Sequence, residues 1–368
     1  MTTQLHGILF AYRDNPHLRE LTSHRTVASI PFGGRYRMID FMLSNMVNAG
    51  IVDIGVVMQE KCLSLLDHLG SGKDWDLARK RGGLRVLPPF TNQSRNFRGK
   101  MEALYGVYTY MEDIRQDYVL MADADVACNI DLEAVFQAHL ESGADITAVC
   151  TKNLTGDPKM STYFKLGETG RINEVLDSPN APEGYESLKV YVLSTAKLIE
   201  LVGYCASHNL YSFTTAVLLG MKDQLNIQPY FYDGYVARLT TIASYYARSM
   251  DLLKVEVSED IFNEEHPIRT KDRSDPSTYY APGSKCIHSL VADGCIIEGS
   301  VEDCVIFRGV HVGKNAVVKN CVLMQDTVVE DGASIRYVIA DKDVTIKAHR
   351  TLTGHASYPF AIEKNSII

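Results

Sequence analysis

The sequence predicts an α/β domain built on a largely parallel sheet, followed by a short parallel β-helix. Three observations predict it. β-rich runs alternate with amphipathic helical stretches through the first half, a polar segment follows near residue 260, and aliphatic residues then recur six apart. Strand–helix alternation puts helices on both faces of the sheet, and ligands then sit beyond the carboxyl ends of the strands. Six-residue spacing of aliphatics stacks one inward side chain on each flat face of a β-helix coil.

GILFAY (7–12), DIGVVMQ (53–59), YVLMADAD (118–125) and ITAVCTK (146–152) read as successive strands. Between them, MIDFMLSNMVNAG (38–50), MEALYGVYTYMEDI (101–114) and DLEAVFQAHLESG (131–143) repeat apolar residues at three and four, as helices packed on a sheet require. Residues 259–285 are rich in Pro, Ser and charge and read as a linker. Beyond them Val291 and Ile297 are six apart, and Ile306, Val312, Val318 and Met324 continue the spacing. The two frames differ by three residues, so one turn is irregular.

A chain of 368 residues has room for two domains. Its net charge of -8 excludes the broadly basic face of a nucleic-acid binder. The start, MTTQLHGILFAYRDN, lacks the basic lead and long apolar core of a signal peptide, and no apolar run reaches the roughly 18 residues of a membrane span. The expectation is a cytoplasmic protein without a membrane segment. Eight cysteines without a CxxC pair read as reduced, buried thiols rather than a zinc site. His6, His17 and His24 have no convincing metal-ligand spacing.

The segment PFGGRYRMIDFMLSNMVNAGI (31–51) closely resembles the signature of bacterial glucose-1-phosphate adenylyltransferases, which make ADP-glucose for glycogen. Further segments resemble that family in order: FRGKMEALYGVY (97–108), YVLMADADVACNID (118–131), TIASYYARSMDLL (241–253), HPIRT (266–270) and EGSVEDCVIFRGVHVGKNAVVKN (298–320). The resemblance covers nearly the whole chain. It implies a Rossmann-like nucleotidyltransferase domain with a GT-A-like mixed sheet over 1–258, a linker over 259–285 and a left-handed β-helix over 286–368.

The departures from the family pattern are as informative. Where active members carry a Gly-rich turn of the type GGxGxRL and then Lys-Pro, this chain has AYRDNPHL (11–18). Tyr12, Arg13 and Asn15 stand at the glycine positions, His17 at the arginine, and Val27 with Ala28 at Lys-Pro. Side chains then fill the volume that a triphosphate needs. Active relatives also hold Mg²⁺ between carboxylates. Asp125 keeps the position of the central catalytic and metal-binding Asp, with Asp123 nearby, but Arg238 stands at the second carboxylate. Ser178 replaces a sugar-phosphate Lys, Phe213 an Asp, and Lys189 a Gly. A strand-end Asp also commonly stabilises a turn, so Asp125 alone does not imply turnover.

Arg25, Arg35 and Arg37 form a basic cluster around the signature. By resemblance it implies a pocket for a phosphorylated sugar effector; in plain terms it is also a set of cations available for surface ion pairs. Together these features imply a GlgD-type subunit of the family, non-catalytic or weakly active. Its expected partner is a catalytic glucose-1-phosphate adenylyltransferase homologue, in a homo- or hetero-tetramer. Two alternatives stay open: a full enzyme making ADP-glucose with Mg²⁺, and a free-standing sugar-phosphate sensor.

Overall fold

The computed structural model describes residues 4–88, 97–152, 158–180 and 183–368. The chain forms two compact units, Met1–Arg13 with Ile39–Val236 and Asn263–Arg269, and Asp14–Met38 with Ala237–Phe262 and Thr270–Ile368.

The first unit is a nine-stranded mixed sheet with helices. Its elements are β1 (Leu5–Phe10), α1 (Met38–Asn48), β2 (Asp53–Val57), β3 (Gly83–Leu87), α2 (Lys100–Gly106), β4 (Tyr118–Asp123), α3 (Leu132–Ser142) and β5 (Ile146–Thr151). They continue with β6 (Thr162–Leu166), β7 (Ile172–Asp177), β8 (Tyr185–Ser194), α4 (Thr195–Ser207) and β9 (Ile227–Phe231). The strand order is β7-β6-β8-β4-β1-β2-β3, with β5 also on β8 and β9 on β5. β1 lies parallel between β2 and β4 and is buried throughout, hence its unbroken apolar character. β8 is antiparallel to β4, which makes the sheet mixed. Asp131 caps α3 by accepting from the Glu133 and Ala134 amides, and Gly143 ends it at a φ of 57°. The helix expected over 101–114 breaks in two at Gly106 and Val107, where glycine weakens helical backbone.

The second unit contains three five-stranded parallel sheets wrapped as a β-helix of the left-handed hexapeptide type. Aliphatics stack inside it: Ile297 pairs with Val312 and Val312 with Val329, a step of 15 residues and then of 17. The short first step accounts for the frame shift between Val291 and Ile306, which pair across it. Cys295, Cys304 and Cys321 sit in this apolar stack, and all eight cysteines are free thiols.

These boundaries differ from 1–258, 259–285 and 286–368. Residues of the helix α5 (Ile242–Asp251) hydrogen-bond within the second unit, Tyr245 Oη to the Pro31 carbonyl and Tyr246 Oη to that of Asn320. The first β-helix strand, Tyr279–Tyr280, falls inside the expected linker. Within the expected linker, Asn263–Arg269 belongs to the first unit, where the Ser44 hydroxyl accepts from the Arg269 amide and the Asn129 side chain donates to the His266 carbonyl. Polar composition there reflects backbone tied down by side chains. Among the described residues, no helix is long and apolar enough to cross a membrane.

Candidate functional site

The loop after β1, the end of β4 and the start of α2 converge at the carboxyl edge of the first unit's sheet. β1 and β4 run in register, with Phe10 beside Asp123, so the residues following each strand meet. Asp123 and Asp125 are both buried here. Arg13 Nη1 donates to Asp125 Oδ2 at 2.6 Å. Lys100 Nζ lies 2.8 Å from Asp123 Oδ1, and Lys189 Nζ lies 3.9 Å from Asp123 Oδ2. The attraction of Asp125 raises the Arg13 pKa further above its ordinary value. Lys100 also sits 5.3 Å from the ring centres of Phe10 and Tyr191, within cation–π range.

Three cations of the chain therefore stand against the two carboxylates. Two of them stand where the catalytic pattern differs, Arg13 at a glycine of the nucleotide loop and Lys189 at a lost glycine, while Lys100 lies in the family-like segment FRGKMEALYGVY. Lys189 keeps a φ of 58°, in the left-handed region that favours glycine. Its backbone thus retains the turn while the added side chain brings a charge to Asp123. Beside them Tyr12 packs edge-on against Phe10 and Phe97, with ring centres 6.1 and 5.4 Å away. Burial, and then the charge of Asp123, raises its phenol pKa, so Tyr12 stays neutral.

This donor set does not fit a divalent cation. A hard cation needs several uncompensated oxygen ligands, whereas here an ammonium and a guanidinium already hold the carboxylates. Among the described residues, no group of three or more His, Cys, Asp or Glu is placed to hold a metal. Arg238, at the second carboxylate position, is buried in the second unit. In the sugar-phosphate segments, Phe213 is buried in the core 4.9 Å from the Tyr191 ring, and Ser178 takes a φ of 53°.

The effector candidates all lie in the second unit and have distinct surroundings. Arg25 is buried and ion-paired with the buried Asp341. Arg35 is half-exposed and pairs with Asp293 at 2.9 Å. Arg37 acts on Lys342, which the sequence reading missed because its position in a hexapeptide turn carries no distinguishing pattern. Burial, followed by repulsion from Arg37 and Arg25, pushes the Lys342 ammonium down to about 7.

The sequence reading identified Asp125, Asp123 and the changed loop, but not the pairing of Arg13, Lys100 and Lys189 with the carboxylates. The available signal was the sign of the replacements at positions 13 and 189, each of which introduces a cation near the retained acids.

The fold and the altered strand-end cleft define a protein of the nucleotidyltransferase class. Residues 16–238 match the model of the nucleotidyl transferase family, and residues 280–356 that of the GlmU-like C-terminal hexapeptide. The chain is 34% identical to "Glycogen biosynthesis protein GlgD" of Bacillus subtilis (strain 168), covering 99% of this chain and 97% of the relative. It is 35% identical to the protein of that name from Geobacillus stearothermophilus, over 86% and 84%. Identity is 31% to "Glucose-1-phosphate adenylyltransferase" of Geobacillus stearothermophilus, over 85% and 82%. The chain belongs to the nucleotidyl transferase family, in the group that holds GlgD and the glucose-1-phosphate adenylyltransferases.

Proposed function

We propose that this chain is a GlgD-type subunit acting in glycogen biosynthesis, non-catalytic or weakly active, which assembles with a catalytic glucose-1-phosphate adenylyltransferase and modulates it. The observation that carries this reading is the engagement of Asp123 and Asp125 by Lys100, Lys189 and Arg13. A phosphoryl-transfer site needs its carboxylates available to a metal that offsets phosphate charge. Here the same negative charge is spent holding the chain's own side chains.

Assembly into a homo- or hetero-tetramer and response to a phosphorylated sugar belong to the same proposal. Arg25, Arg35 and Arg37 supply the positive field for that effector, with Lys342 added to them. Modulation of this kind is a coupling free energy, typically about 1–3 kcal/mol. Mg²⁺ would be required only for an active enzyme.

The test is ADP-glucose formation from ATP and glucose 1-phosphate with Mg²⁺, by the purified chain alone and mixed with a catalytic homologue. The expected result is negligible turnover alone and changed kinetics in the mixture. Turnover alone at about 1–10³ per second, a rate ordinary for enzymes, would overturn the proposal. So would a mixture with neither complex nor altered kinetics.

A further inference from the structure

The β-helix keeps a regular step until its last turn. On one of its faces Val305 pairs with Val322 and Val322 with Ile339, 17 residues each time. Ile339 then pairs with Ala361, 22 residues on. The five extra residues fall between the strands Thr351–Thr353 and Phe360–Ile362. Insertions in a repeat array project as loops, and such loops often form its binding face.

This loop is tied down. His355 and Tyr358 close it as a hairpin, each amide donating to the other's carbonyl, at 3.1 and 2.9 Å. The Ser357 amide and hydroxyl both meet His355 Nδ1, at 3.2 and 2.8 Å. Gly354 lets the chain leave close to the coil beneath, since a Cβ there would lie 2.4 Å from the Tyr337 carbonyl oxygen. The hairpin holds Tyr358 out 70% exposed, near Phe360 at 45%.

Both rings line a cavity of about 380 Å³ within the second unit. The start of α5 and the segment Pro16–Thr22, which supplies His17, Arg19 and Glu20, complete the lining. Arg19 is held at a φ of 41° and a ψ of -112°, strained for a residue with a side chain. Its Nη1 lies 3.4 Å from Tyr358 Oη. Strain of this kind collects at ligand clamps.

The lining selects a neutral ligand that bears hydroxyls. Arg19 and Glu20 carry one charge of each sign, and neither is in an ion pair among the described residues. A carboxylate repels anions yet accepts from hydroxyls, while a guanidinium donates a fork of N–H groups to paired oxygens. The start of α5 calls for no anion, because Thr241 and Ser244 cap one another. Thr241 Oγ1 accepts from the Ser244 amide at 3.0 Å, and Ser244 Oγ from the Thr241 amide at 2.8 Å. Exposed ring faces carry partial negative charge and take apolar, weakly positive C–H groups. A sugar ring offers both surfaces, C–H groups on its face and hydroxyls at its rim. The volume suits about two such rings, within the usual range for a small-molecule site.

The choice of sugar rests on the role proposed above, because glycogen is a neutral polymer of α-linked glucose. We propose that this groove binds a segment of α-linked glucan and tethers the chain to the polymer. Tyr358 and Phe360 lie against pyranose faces, and Arg19 and Glu20 hold hydroxyl edges.

The test is isothermal titration of the full chain with maltoheptaose and, separately, with the β-linked cellohexaose. Maltoheptaose should bind at millimolar concentration or below, and cellohexaose about tenfold more weakly or worse. Tyr358→Ala and Phe360→Ala should each weaken maltoheptaose by about threefold to tenfold, the loss of one stacked ring. Tyr204→Ala, at an exposed ring of the first unit, should leave binding unchanged. Circular dichroism and Tm establish that each variant is folded. Absence of wild-type binding at millimolar maltoheptaose, equal binding of the two oligosaccharides, or undiminished binding in the Tyr358→Ala/Phe360→Ala variant would overturn the proposal. So would intact glucan binding in Tyr358→Ala with loss of assembly with the catalytic homologue, which would assign the hairpin to a protein contact. Failure of the subunit role shows separately, in the kinetics of the mixture and not in titration of the chain alone.

Discussion

At the carboxyl ends of β1 and β4, Arg13 and Lys100 hold Asp125 and Asp123 at 2.6 and 2.8 Å. At the amino ends of the same strands, Lys80, Arg81, Arg85 and Arg115 line a cleft without an ion pair among the described residues. One sheet therefore carries directly paired charges on one edge and, on the other, cations and carboxylates (Asp53, Asp113, Asp117) that share a lining without the four cations forming an ion pair among the described residues. The fold normally places ligands at the carboxyl edge, yet here that edge has turned its polar groups on one another. Retention of an acid does not mean retention of its availability. Asp125 survives in sequence, and its oxygen is engaged by a neighbour.

The largest expected effect comes from stripping the carboxyl edge of its cations. The double variant Arg13→Gly/Lys100→Thr leaves two buried carboxylates without these partners. Urea unfolding should show a loss of about 3–5 kcal/mol, comparable to breaking one fully buried pair, because both pairs here are partly exposed. Millimolar Mg²⁺ should restore part of that stability in the variant and none in the wild type, through binding to the folded state alone. A variant indifferent to Mg²⁺ would show that the carboxylates cannot form a cation site even when released.

A smaller effect, on the order of 2–3 kcal/mol, is expected at the other edge from His6. Burial, opposed by Asp53, lowers its pKa from 6.5 to about 4. The unfolded chain takes up the proton first, so this contribution is complete above about pH 6.5 and is lost as pH falls toward about 4. His6→Gln should remove this part of the acid-side slope in Tm. An identical slope in the variant would place the acid sensitivity elsewhere.

The smallest effect separates the edges most directly. Arg81→Ala and Arg115→Ala remove exposed cations that have no ion partner, so each should change stability by about 0.5 kcal/mol or less. A loss of several kcal/mol in Tm-matched urea titrations would mean that the cleft cations are structural, and the contrast would fail.

Much of the architecture was legible in the sequence because it rests on local patterns. Four apolar runs became β1, β2, β4 and β5, and their periodicity survives because burial on both faces demands it. The hexads declared the β-helix for a similar reason, since each inward aliphatic repeats one coil later. Domain boundaries were less legible. Residues 14–38 and 237–262 join the second unit through bonds such as Tyr245 Oη to Pro31, which span more than two hundred positions and leave no local trace.

The sequence by itself determined the fold class, the family resemblance, the changed loop at Tyr12–Asn15 and the survival of Asp125. Each is a matter of residue identity at a position or at a fixed period. Tertiary structure alone decided that Arg13, Lys100 and Lys189 gather on Asp123 and Asp125, that Arg25 is committed to Asp341, and that four cations converge on the amino edge. The physical reason is that ion pairing depends on distance in space. Partners 23 to 316 positions apart in the chain meet only after the sheet and the β-helix have folded.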